Sequence, residues 1–79
     1  MGFSMKSRIG NRIKILRQAR SLSMQQLGDL IGVSTGTIHY WESATYRCPD
    51  RSIQDLAAVF GVSTDHFYVS DPETNNEAA

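Results

Sequence analysis

Seventy-nine residues with a formal net charge of zero, 41% of them apolar, predict one small domain that buries only about 60% of its unfolded surface. No apolar run approaches the ~20 residues of a bilayer span and no signal peptide is visible, so no membrane partner is expected. A single cysteine, Cys48, and two distant histidines leave no internal disulfide framework and no ligand spacing for a metal; no metal and no cofactor are expected, and a reducing cytoplasm suits such a chain.

After a flexible stretch over 1–6, a first helix is predicted over residues 7–20, with Ser7 as N-cap and Ile9, Ile13 and Leu16 on one face. A second follows over 24–31. Ser23 and Gln26 have the spacing of a capping box, Leu27, Leu30 and Ile31 are expected inside, Gly28 permits close approach of a neighbouring helix, and Gly32 supplies the left-handed turn. Ser34 then caps a third helix over 35–43. At about 100° per residue, Thr35, Gly36, His39, Tyr40 and Ser43 share one arc, and Thr37, Ile38, Trp41 and Glu42 share the other, with Trp41 read as core. Residues 44–50 read as a loop in which Cys48 is a bystander, with a reactive thiol as the alternative. A fourth helix is expected over 52–60, with Ile53, Leu56, Ala57 and Phe60 inward and Gly61 as its stop. Ser63 caps a last short helix over 64–69, where Phe67 closes the core. Phe60, Val62, Phe67, Tyr68 and Val69 are read mainly as core, with an exposed apolar patch at that end as the alternative. No strand pattern or repeat occurs. The domain therefore spans 7–70 and is all-α, and 71–79 is a flexible acidic tail or linker.

The third helix carries the functional signal. One face is apolar and docks inward, while the other groups small and hydrogen-bonding residues with no packing reason to be together, as reading a DNA groove requires. Charge distribution agrees. Six basic residues, Lys6, Arg8, Arg12, Lys14, Arg17 and Arg20, precede the first acid, Asp29, and from there on two basic residues stand against eight acidic ones. Such asymmetry can give a neutral molecule one attractive surface; the alternative is a solvated basic helix.

The run IGNRIKILRQARSLS, the core LGDLIGVSTGTIHYWE, Pro49 and IQDLAAVFGVSTDHF together resemble the helix-turn-helix domain of lambdoid phage repressors and Cro proteins, the XRE-type family, over residues 9–69. The resemblance implies a compact five-helix bundle that binds operator DNA as a homodimer. It also implies that Arg17 pairs with Glu42, bracing the first helix against the third while facing the DNA backbone. The chain departs from the family pattern in four places. Met24 stands where a phosphate-contacting glutamine is frequent, Thr35 and Gly36 where glutamine or asparagine suits adenine, Ala44 where glycine usually follows the third helix, and Asp50 where some relatives are basic.

The residues expected at base edges are Thr35, Gly36, His39 and Tyr40. Thr35 can hydrogen-bond and touch a thymine methyl, Gly36 permits close approach, and His39 can donate to guanine. None is the bidentate type, so shape or bridging water is expected to share the readout. The alternative is that His39 and Tyr40 are ordinary exposed residues. Expected phosphate contacts are Arg17, Gln25, Gln26, Ser34, Ser43, Thr45, Tyr46, Arg47 and Arg51. The leading expectation is a sequence-specific transcription regulator, most simply a phage or prophage repressor on an inverted repeat of double-stranded DNA. An antitoxin or a restriction-modification controller uses the same reading, and a protein-interaction module on the same scaffold is the alternative from another class. No small-molecule substrate is expected, and no nucleophile–base pair in a cleft suggests an enzyme.

Overall fold

Ser4 starts the first helix, α1 (Met5–Ala19), by accepting a hydrogen bond from the backbone N–H of Ser7. Ser7, the expected cap, is thus the residue that is capped, and Met5 and Lys6 are helical where a flexible stretch was expected. The structure, a computed structural model, describes residues 4–69, so the expected tail over 71–79 lies outside the described residues. The chain continues through α2 (Met24–Ile31), α3 (Thr35–Glu42), α4 (Asp50–Phe60) and α5 (Asp65–Tyr68), with no strand among the described residues.

Local chemistry sets the α2–α3 boundaries where the sequence predicts them. Ser23 and Gln26 form a reciprocal capping box, and Gly32 ends α2 in the left-handed conformation at φ 78°. Two other starts differ from expectation. α4 begins at Asp50 rather than Ser52: Pro49, extended at ψ 152°, is the N-cap without a side-chain bond, and Asp50 places its carboxylate in the first turn, where the helix dipole favours it. α5 follows Thr64 rather than Ser63, and neither hydroxyl caps it; the Ser63 and Thr64 carbonyls accept from His66 and Phe67 instead.

α3 is the hub, packed on both α1 and α2, while α5 rests on α1 and α4 on α2. Ile9 and Ile13, Leu27, Ile38 and Trp41, Ile53, Leu56 and Phe60, and Phe67 bring all five helices into one core. Each such side chain contributes about 1.5–3 kcal/mol on burial. Two expected core residues are outside it: Leu30 is 56% exposed and Val69 51%. α2 buries Leu27 and Gly28 and half-buries Met24 and Ile31, so Leu30 lies about 110° from the centre of that stripe. Cys48 is the opposite correction. It is no loop bystander but a fully buried core side chain, and burial pushes its thiol up to about 12.

Gly10 sets the packing of α1 on α3. A Cβ there would overlap the Trp41 carbonyl oxygen and crowd that of Glu42, so the backbone at the end of α3 lies directly on α1. Gly28 has a similar role, although its close neighbour is the turn backbone at Val33 rather than another helix.

Candidate nucleic-acid interface

Packing fixes which side of α3 is free. Ile38 and Trp41 are buried, Thr37 and Glu42 are half-buried, and Thr35, Gly36, His39, Tyr40 and Ser43 are all exposed. The two predicted arcs are therefore the two observed faces. Ser34 holds the N-terminal end, accepting from the Thr37 backbone N–H at 3.1 Å and sharing a hydrogen bond with the Thr37 hydroxyl at 2.9 Å.

The inward side of α3 is tied to α1 by charge. Arg17 donates from Nε to Glu42 Oε2 at 2.7 Å and from Nη2 to Glu42 Oε1 at 3.0 Å, while its Nη1 reaches the Leu22 carbonyl at 2.8 Å. This is the fork-on-carboxylate geometry that makes arginine pairs strong. The bond to Glu42 raises the Arg17 pKa above its ordinary value, so the guanidinium stays charged. The bracing role expected of Arg17 fits this geometry and the phosphate role does not. Its side chain is only 11% exposed and already holds a carboxylate and a carbonyl.

The outward side is aromatic and polar. The His39 and Tyr40 rings lie 5.8 Å apart, and Tyr46 meets Tyr40 edge-to-face at 5.4 Å. The backbone N–H groups of Thr45 and Tyr46 both donate to the Tyr40 carbonyl, folding the loop back over the end of α3. The Ser43 hydroxyl donates to the Tyr40 carbonyl and lies 2.9 Å from the Thr45 hydroxyl.

A sequence model of the family described as "Helix-turn-helix domain" matches residues 8–67. The chain belongs to this helix-turn-helix family. Over 52 residues it is 46% identical to "Repressor protein C" of Escherichia phage P2, covering 66% of this chain and 52% of that protein; the chain thus spans about half the length of the curated relative it matches. A "hypothetical transcription factor NHTF" from Neisseria shares the fold with a TM-score of 0.82 at 15% identity, over 92% of this chain and 84% of that one. An "HTH_3 family Transcriptional Regulator" from Vibrio cholerae aligns with a TM-score of 0.75 at 28% identity, over 89% of this chain and 39% of that one.

Within this helix-turn-helix unit the remaining expected contact residues divide by availability. Gln25, Thr45, Tyr46, Arg47 and Arg51 are exposed. Gln26 spends its side-chain oxygen on the capping box and Ser34 spends its hydroxyl on the α3 cap, so both shape helix ends first. Arg47 pairs with Asp50 at 3.2 Å on an open surface, a contact weak enough to be exchanged. Asp50 also accepts from the Tyr68 hydroxyl, and this bond, more than Arg47, lowers its pKa and raises that of Tyr68. The sequence reading missed one residue that positions the site. Gly10 was signalled only by being a glycine inside a helical pattern. Gly36 is the reverse case, for a Cβ there would meet nothing closer than the Ser34 hydroxyl at 3.8 Å, so the fold does not require glycine at that position.

Proposed function

We propose that this helix-turn-helix chain reads operator DNA for a phage-type transcription regulator, with α3 in the major groove and Thr35, Gly36, His39 and Tyr40 at the base edges. The observation that carries this reading is the division of α3: its apolar face is sealed into the bundle and its whole hydrogen-bonding face is open. A helix held by one side and free on the other fits a groove about 12 Å wide. Gln25, Ser43, Thr45, Tyr46, Arg47 and Arg51 are the proposed phosphate contacts, with Gln26 and Ser34 acting through the helix ends they cap. Two protomers would place their reading helices one turn apart, on half-sites about 10 bp from centre to centre. Occupying the operator then represses without chemistry, so the proposal includes no catalytic step.

Selection from a random duplex pool tests it. Enrichment of an inverted repeat, bound with two protomers per duplex in the analytical ultracentrifuge, is the expected result. Arg47 and Arg51 from each of two protomers would give a log–log salt slope of about −3.6. A pool that stays random, or a salt-insensitive complex formed only with another protein, would overturn the proposal.

A further inference from the structure

The reading face has an unusual inventory. From Thr35 to Ser43 the sequence is TGTIHYWES, without the arginine or lysine that forks onto guanine or the asparagine or glutamine that forks onto adenine. What the face offers instead is apolar surface at its polar edge. Tyr40 is 46% exposed and Tyr46 is 62% exposed, and each ring braces the other edge-to-face. Exposed aromatic pairs of this kind are the side chains that interfaces enrich. Beside them, Gly36 leaves open space that the fold does not require, and Thr35 presents a methyl next to a hydroxyl.

In the major groove, one base alone presents a methyl next to a hydrogen-bond acceptor. That base is thymine, with its C5-methyl and O4. We infer that this surface reads its duplex chiefly through thymine 5-methyl groups, packed in the space over Gly36 between the Thr35 methyl and the Tyr40 ring, with Tyr46 as the residue that positions Tyr40. The inference rests on the DNA-reading proposal above and deepens it by naming the recognised group. Thr35 then has a double task, its methyl against the thymine methyl and its hydroxyl toward O4. Tyr46 acts through Tyr40: the left-handed Ala44 and the paired bonds from Thr45 and Tyr46 to the Tyr40 carbonyl bring the two rings together.

The test begins with a duplex selected by the protein and replaces each dT in turn by deoxyuridine, which removes the methyl and leaves the pairing edge unchanged. Affinity is expected to fall about fourfold at each contacted thymine, the value of one buried methyl group. Tyr40→Ala is expected to bind the dT and dU duplexes equally, while Tyr40→Phe, which keeps the ring, retains the difference. Tyr46→Ala is expected to shrink the dT/dU ratio and Tyr46→Phe to restore it, with both variants keeping the wild-type helical circular dichroism; a merely structural role for Tyr46 would move folding and leave the ratio alone. Specific binding that is indifferent to loss of every methyl overturns this inference and leaves the DNA-reading proposal standing. Failure to select any duplex overturns both.

Discussion

The two turns that flank α3 solve the same geometric problem with different residues. Before α3, Gly32 takes the left-handed conformation without a side chain to strain, Gly28 makes room for the Val33 carbonyl, and Ser34 caps the new helix. After α3, the left-handed position is Ala44, at φ 64°, in a loop of exposed hydroxyls, Tyr46 and Arg47. A side chain in that conformation costs about 1–2 kcal/mol. The first turn is relaxed and fixes where the helix enters; the second stores strain beside the residues proposed to meet DNA. Strain of this kind is typical of binding segments held in place by their surroundings.

The largest way to break the contrast is to cut what holds the second turn down. Arg17 grips Glu42, the last residue of α3. Arg17→Ala strands a buried carboxylate and is expected to lower stability by about 3 kcal/mol, read from the urea midpoint. For a domain this small that is a large share of the total.

Next come the turn residues themselves. Gly32→Ala is expected to cost about 1 kcal/mol, because it imports the strain the first turn avoids. Ala44→Gly is expected to gain about 0.5–1 kcal/mol, the strain relieved less the extra freedom of glycine in the unfolded chain. Thermal unfolding of both variants should move in opposite directions. If Ala44→Gly melts lower than wild type, the second turn is not strained.

Gly36 sharpens the comparison from inside the helix. Gly36→Ala has room for its methyl and is expected to stabilise by about 0.5–1 kcal/mol while weakening binding to a selected duplex. A variant that gains stability and keeps full affinity would show that this glycine serves no partner.

The smallest effect is expected at the bond that ties the α4 start to α5. Asp50 has its pKa lowered in the fold, so its contribution is present above the ordinary value of 3.8 and fades as pH falls through the folded value. Tyr68 has its pKa raised, so its contribution is complete below 10.0 and fades as pH rises through the folded value. The stability difference between wild type and Tyr68→Phe is therefore expected to be flat between those pH values and to vanish beyond them on both sides.

What could be read in the chain beforehand follows the range of the forces involved. The bounds of α2 and the start of α3 were legible to the residue, because capping box, left-handed glycine and N-cap serine are signals within four positions. The two faces of α3 were legible for the same reason. Starts were missed at α1, where two serines three apart both fit a cap, and at α4 and α5, which start with no side-chain cap bond. Cys48 and Gly10 are set by tertiary approach, which periodicity does not encode; nothing local distinguishes a loop cysteine that points into the core from one that points out. For the candidate site, the sequence named the exposed residues and also the partners of Gln26, Ser34 and Arg17, the last by resemblance; it did not show that Arg17 is too enclosed by its partners to reach a phosphate.

Cys48 gives the molecule a built-in gauge. It is the chain's only sulfhydryl, and it is sealed inside and protonated at neutral pH. An electrophile added to folded protein meets no thiolate, so each labelled molecule is one that opened first. The labelling rate thus counts openings, with no probe to be engineered, and a duplex that clamps the bundle shut would slow the count.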